Sequence, residues 1–204
     1  MKIIDIICSQ GKTGFYFDDQ RAIKNGAKSD GFTYIGDVIT RGFTSIRQSG
    51  ESISVMIILE DKQIAYGDCA AVQYSGAGGR DPVFLAKDFI PVIEKEVKPR
   101  LVGREANNFK ELCSVVENIR VEGKKLHTAI RYGVTQAILD AVSKSNHCLM
   151  CQVIAKEYNT KVLNEIQSSV NELTNRIKDL NVDELLKTVA KTAEDKKSVT
   201  IPVS

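Results

Sequence analysis

The sequence has only two histidines in 204 residues, His127 and His147, and neither sits in a Gly-x-Ser-x-Gly or His-Glu-x-x-His pattern. No nucleophile and base can therefore be paired from local motifs, and His127 is expected to cap or pack at a helix start. The sequence also lacks an arginine-rich arm or a lysine block. Its 28 basic and 26 acidic side chains are scattered and leave a net charge of +2, which argues against nucleic acid and acidic membranes as partners. Long apolar runs are missing too. The isoleucine-rich start is broken by Asp5, too early for a signal-peptide core or a bilayer span. The five cysteines (Cys8, Cys69, Cys113, Cys148, Cys151) are odd in number and irregularly spaced, unlike a secreted disulfide framework, so a reducing cytoplasm is the expected location.

What is present is the make-up of a soluble globular protein, with 43% hydrophobic and 26% charged residues. Lys2 to Cys8 reads as a strand. The glycine- and aromatic-rich stretch from Gly11 to Gly50 has too little periodicity for a long helix and too much apolar surface for a disordered linker. Ordered loops with short strands are expected there. Ile53, Val55, Ile57 and Leu59 alternate with Ser52, Ser54, Met56 and Ile58, which predicts a strand with one strongly apolar face. Glu60 to Gln63 turns the chain into a second strand, Ile64 to Ala70, as an antiparallel hairpin, because so short a connection cannot make a parallel crossover.

After Gly79 the pattern becomes helical. Asp81 reads as an N-cap with Pro82 at the first helical position, and Pro91 should kink or divide that helix. Asn107 is the expected cap of a helix carrying Phe109, Leu112, Val116 and Ile119. A third helix should run from about Leu126 to Lys144. Its Ala129, Gly133 and Ala137 form a stripe of small residues for close approach to a neighbour, either another helix or a catalytic domain. Val162 to Lys197 is polar and free of Gly and Pro, with Ile166, Val170, Leu173, Ile177 and Leu180 at three-and-four spacing, hence an amphipathic helix. Asn181 to Asp183 could break it before a second helix through Leu185, Leu186 and Val189. The fold class is thus α+β: a small three-stranded antiparallel sheet followed by a helical subdomain, with extra amphipathic helices at the carboxy end.

Three motifs invite chemistry. Gly76 to Gly79 suggests a phosphate cradle, but no Gly-Lys-Ser/Thr follows and the dinucleotide fingerprint spacing is absent, so a permissive loop is the better reading. Cys148-Leu-Met-Cys151 lacks the second ligand pair of a structural zinc site, which leaves two small thiols packed inward on a helix. Gln73 follows a strand and precedes a flexible loop. A primary amide there could donate to a carboxylate or accept from an ammonium, or be an ordinary surface glutamine at a strand end.

Three runs resolve that choice: Gly14-Phe-Tyr-Phe-Asp-Asp-Gln-Arg-Ala-Ile23, Gly67-Asp-Cys-Ala-Ala-Val-Gln-Tyr-Ser-Gly-Ala-Gly-Gly-Arg-Asp-Pro82 and Leu126-His-Thr-Ala-Ile-Arg-Tyr-Gly133. Together with Phe84 to Glu96 they closely resemble methylaspartate ammonia-lyases of the enolase superfamily, over roughly Met1 to Asn159. The resemblance implies an amino-terminal capping domain that closes over an eight-stranded β/α barrel. It implies reversible loss of ammonia from 3-methylaspartate to give mesaconate, as in glutamate fermentation, by a cytoplasmic homodimer that needs Mg²⁺ and K⁺. A barrel lysine would remove the proton next to the side-chain carboxylate while Mg²⁺ on barrel carboxylates absorbs the developing charge. Gln73, matching the family pattern, would line the substrate's amine pocket.

Residues 1–159 are therefore expected to form the capping domain, 160–198 an amphipathic segment outside the family, and 199–204 a possible start of the first barrel strand. No catalytic or metal-binding residue is expected in this chain, which should be inactive without a barrel supplied in cis or as a separate chain. The alternative is a non-catalytic interaction protein derived from the capping domain and self-associating through its helical tail.

Overall fold

The computed structural model of the chain describes residues 1–71, 81–160, 162–178, 186–187 and 191. Two compact units divide it, Met1–Tyr158 and Asn159–Ser204. In the first, strands β1 (Ile3–Asp18), β4 (Arg47–Leu59) and β5 (Ile64–Ala70) form an antiparallel sheet in the order β1-β4-β5. The α+β architecture is as expected, and the β4–β5 hairpin pairs Ile58 with Ile64 and Ser52 with Ala70. Alternation along β4 buries Ile53, Val55, Ile57 and Leu59 completely, so the period-two pattern maps onto one inner face.

Both long strands exceed their expected bounds. β1 continues to Asp18 after an irregularity between Lys12 and Tyr16. Between β1 and β4 lie α1 (Gln20–Lys24) and a hairpin of β2 (Lys28–Asp30) and β3 (Thr33–Ile35). This excursion is held by Asp19, which is fully buried. Its carboxylate accepts from the amides of Arg21, Ala22, Ile39 and Thr40 at 3.1, 3.3, 2.7 and 2.7 Å and from the Thr40 hydroxyl at 2.6 Å. Burial opposes ionisation, but the Thr40 hydroxyl and the amides of Thr40, Ile39 and Ala22 outweigh it and bring the pKa down to about 2. Arg47 clamps the hairpin from the other side. Its guanidinium grips Asp18 at 2.7 and 2.8 Å and lies 5.0 Å from the ring centres of both Phe32 and Tyr34.

The helices follow: α2 (Ala86–Val92), a π-helical turn (Ile93–Val97), α3 (Lys98–Leu101), α4 (Phe109–Glu117), α5 (Thr128–Ser145) and α6 (Met150–Glu157). A two-residue ribbon of β6 (Arg120–Val121) and β7 (Lys124–Lys125) precedes α5. The first helix starts at Ala86, not at Pro82, and Asp81 is not its cap. The acceptor for the Ala86 amide is the carboxylate of Glu51 on β4, at 2.7 Å. Pro91 stays inside α2, and the wider π-helical turn follows directly after it, where the missing N–H breaks the regular ladder. The cap of α4 is Asn108, accepting from Glu111 at 3.0 Å, one residue later than expected. Glu157, at the end of α6, accepts from the next two amides, Phe109 and Lys110, both at 2.7 Å.

Helix α5 lies on the inner face of the sheet, and its small-residue stripe meets strand β5, a partner not among those anticipated. A Cβ on Gly67 would come within 2.1 Å of the Gly133 carbonyl oxygen, and one on Gly133 within 2.4 Å of the Cys69 amide nitrogen. At this separation side chains of α5 also reach the free edge of β5. Asp140 accepts from the Tyr66 amide at 2.9 Å, Gln136 accepts from the Asp68 amide at 3.1 Å, and the Lys144 ammonium donates to the Ile64 carbonyl at 2.7 Å. The match is metrical. Four helical residues rise about 6 Å and two strand residues about 6.7 Å, so side chains at 136, 140 and 144 fall opposite backbone at 68, 66 and 64.

Of the two cysteines expected inward, Cys148 is half-buried ahead of α6 and Cys151 is exposed. In the second unit α7 (Val162–Lys178) is the amphipathic helix, with Val170 and Leu173 exposed. The expected break at 181–183, most of the second helix, and the 199–204 strand lie outside the described residues; Leu186 and Lys187 are helical. Among the described residues, no helix is long and apolar enough to cross a membrane.

Two outcomes are expected. Gly133→Ala should lower unfolding stability by about 3 kcal/mol through overpacking, while Gly14→Ala, whose added methyl would meet nothing within 4 Å, should shift it by less than about 0.5 kcal/mol. Asp19→Ala should cost about 3 kcal/mol by orphaning its buried donors, read from urea unfolding at neutral pH; equal midpoints for variant and parent would contradict the role of Asp19 in holding this excursion.

Candidate functional site

Gln73 lies in residues 72–80, outside the described residues, but both limbs that carry this segment are defined. The outgoing limb is β5, which ends at Ala70 and continues into buried Ala71. The return limb is Asp81 to Leu85, which precedes the helix rather than belonging to it, with Val83 and Phe84 buried. Gly42, at φ +98°, brings its loop against Val83, where a Cβ would sit 3.3 Å from the Val83 Cβ.

The return limb is fastened to the amino-terminal end of α5. His127 is the N-cap of that helix, as the sequence suggested, and only 5% exposed. Its Nδ1 accepts from the Ala129 amide at 3.0 Å, which requires an unprotonated Nδ1 and places the single proton on Nε2. Nε2 then donates to the Pro82 carbonyl at 3.1 Å. Asp81, read from sequence as a local cap, instead accepts from the Thr128 amide at 3.3 Å, at a residue 47 positions further along. A carboxylate and a neutral imidazole thus share the first turn of α5, where the helix dipole favours negative charge and opposes positive. The His127 ring also sits 5.0 Å from the ring of Phe84 and 4.9 Å from that of Phe89. Burial pushes its pKa below the ordinary imidazole value, against the raising effects of the Pro82 carbonyl and the Asp81 carboxylate.

A cavity of about 770 Å³ opens beside this junction, lined by Asp81, Phe89, Lys124, His127 and Arg131 among others. Its charges are partly committed. Arg131 binds Glu117 at 2.7 Å and Lys125 lies 3.5 Å from the same carboxylate, which holds Glu117 below the usual carboxylate range. Among the described residues no group of three or more His, Cys, Asp or Glu side chains could hold a metal ion. Sequence reasoning missed the fastening role of Asp81, since nothing near it in the chain marks Thr128 as its partner.

The three-stranded sheet and the helix laid on it define an α+β domain. A family model described as "Methylaspartate ammonia-lyase N-terminus" matches residues 1–159, and the chain belongs to this family. The methylaspartate ammonia-lyase of Clostridium tetanomorphum is 66% identical over 159 residues, a match covering 78% of this chain and 38% of that protein. Its β-methylaspartase crystal structure as a Mg complex superposes with a TM-score of 0.75 at 66% identity, over 78% and 39% of the two chains. Its Q73A mutant gives 0.74 at 65% identity with the same coverage. The Citrobacter amalonaticus enzyme, crystallised containing (2S,3S)-3-methylaspartic acid, gives 0.74 at 52% identity over 78% and 39%. The chain therefore spans well under half the length of the relatives it matches.

Stability should depend on the neutrality of His127. Its folded pKa lies below the unfolded value, so its contribution is complete above about pH 6.5 and is lost as pH falls through the folded value. His127→Asn, which keeps an N-cap acceptor but does not titrate, should flatten this slope between about pH 7 and 5 in chemical unfolding. An unchanged slope would show that His127 is not the group responsible.

Proposed function

We propose that this chain supplies the capping domain of a cytoplasmic, homodimeric methylaspartate ammonia-lyase, which converts 3-methylaspartate to mesaconate and ammonia. The observation that carries the reading is the match over residues 1–159 to relatives of that name, one of them solved with 3-methylaspartic acid. Gln73 is assigned to the substrate's amine. A primary amide offers a carbonyl to an ammonium and an N–H₂ to a carboxylate, and a glutamine of the same number was replaced by alanine in the solved Clostridium tetanomorphum mutant.

The Mg²⁺ and K⁺ of the reaction, and the base that takes the proton, are assigned to the part of the relatives' length that this chain does not match. The Clostridium tetanomorphum enzyme was solved as a Mg complex. When bound, the cation stabilises charge developing on the substrate carboxylate. Residues of this chain close over the substrate and orient its amine.

The test joins residues 1–159 to the unmatched portion of the Clostridium tetanomorphum enzyme and follows mesaconate by ultraviolet absorbance with Mg²⁺ and K⁺ present. The fusion should turn over 3-methylaspartate. Gln73→Ala should lower kcat/KM by about 10- to 100-fold, the loss expected for one hydrogen bond to a charged group. A folded fusion that binds Mg²⁺ but forms no mesaconate would overturn the proposal.

A further inference from the structure

Asn25 and Gly26 close helix α1, and only one of them is explained by the fold. Gly26 follows the C-cap at φ +100°, in the left-handed region that glycine enters without strain. Its amide donates to the Ile23 carbonyl and the Ala27 amide donates to the Ala22 carbonyl, both at 3.1 Å, which ends the helix in a Schellman pair. Asn25 is exposed, and its side-chain amide carries neither of these bonds.

An asparagine followed by glycine is open to reaction with its own backbone, because no side chain shields the attacking nitrogen. The Gly26 nitrogen gives up its proton to solvent base and attacks Asn25 Cγ. The N–Cγ bond forms, the Cγ–Nδ2 bond breaks, and the leaving nitrogen takes a proton from water and departs as ammonia. Water then opens the resulting five-membered succinimide to aspartate or isoaspartate, with no oxidant or cofactor consumed.

The folded geometry opposes the first step. With Asn25 ψ at 11°, the Gly26 nitrogen nearly eclipses the amide nitrogen of Asn25 and is turned away from Cβ. Ring closure requires rotation about that bond, which breaks the Schellman pair. The start of α1 is held by the Asp19 carboxylate, which accepts from the Arg21 and Ala22 amides and, across the excursion, from those of Ile39 and Thr40. Ala22 is thus pinned through its amide to Asp19 and through its carbonyl to Ala27, so opening the cap of this five-residue helix works against the Asp19 anchor.

We propose that Asn25 is a site of spontaneous deamidation that the fold holds closed, and that Asp19 sets how rarely it opens. Reaction proceeds from the small population of chains in which α1 has come apart. The product recloses less well than the parent. Aspartate puts negative charge at the carboxy end of α1, where the helix dipole opposes it, and isoaspartate adds a methylene to the main chain at the cap.

The test ages the full chain in mildly alkaline buffer beside a synthetic peptide of residues 20–30, and follows deamidation at Asn25 by mass spectrometry after digestion in acid. The folded chain should react at least about tenfold more slowly than the peptide. Asp19→Ala should speed the reaction at least about tenfold towards the peptide rate. Should that variant fail to fold by circular dichroism, Thr40→Ala, which removes the hydroxyl bonded to Asp19 at 2.6 Å, should act in the same direction by a smaller factor. Gly133→Ala, which weakens the unit away from α1, should change the rate by less than about twofold. A folded chain that reacts as fast as the peptide, or a peptide that does not react, overturns the proposal. So does a folded Asp19→Ala or Thr40→Ala chain as slow as the parent, or an equal acceleration by Gly133→Ala, which would make global unfolding the route.

Discussion

The contact between Gly67 and Gly133 sets the geometry of the first unit. Two backbones meet where neither has room for a methyl group, and the consequence reaches in three directions. Helix α5 comes near enough for its side chains to bond the Tyr66 and Asp68 amides and the Ile64 carbonyl of β5. Ile130, Val134 and Ile138 are brought over the sheet and fully buried with Ile53, Val55 and Ile57. The start of α5 is placed where Asp81 and His127 can hold the chain that returns from the sheet. A bulkier residue at either glycine would move the helix off the strand and loosen all three together, because close-packed interiors transmit strain rather than absorb it.

The unit is held in place largely by acidic side chains that act at a distance in sequence. Asp19 gathers the excursion between β1 and β4, Glu51 caps α2, and Asp81 and Glu157 each bind the first turn of a helix. Each carboxylate meets amides that no intrahelical or ladder bond would satisfy. The favourable partner of a helix start is negative charge, and this chain takes it from neighbouring elements more often than from the preceding residue.

That explains which parts of the fold were legible. The β4–β5 hairpin is readable to within a residue at its turn because alternation and a short polar connection are local signals. The small residues at 129, 133 and 137 announce a close approach, yet the stripe carries no mark of what approaches, and a strand was not among the partners considered. The beginning of α2 is misplaced in the sequence because Asp81 and Pro82 have the local form of a helix start, whereas the actual acceptor, Glu51, lies 35 residues earlier than Ala86. At the candidate site, His127 is legible as a cap but not as a bridge to Pro82. Gln73 stands out only through the resemblance of its surroundings to a known family, for a lone amide at a strand end has no chemical signature of its own.

The outer border of the sheet bears on how this chain behaves among copies of itself. An uncovered outer strand is a template on which another chain can hydrogen-bond, the common route to domain exchange and fibrillar aggregation. On β5 the Tyr66 and Asp68 amides and the Ile64 carbonyl are already spent on α5. Recruitment of a foreign strand there would require the helix to be pulled away from the core, so solubility at that border is secured by the same packing that builds the interior.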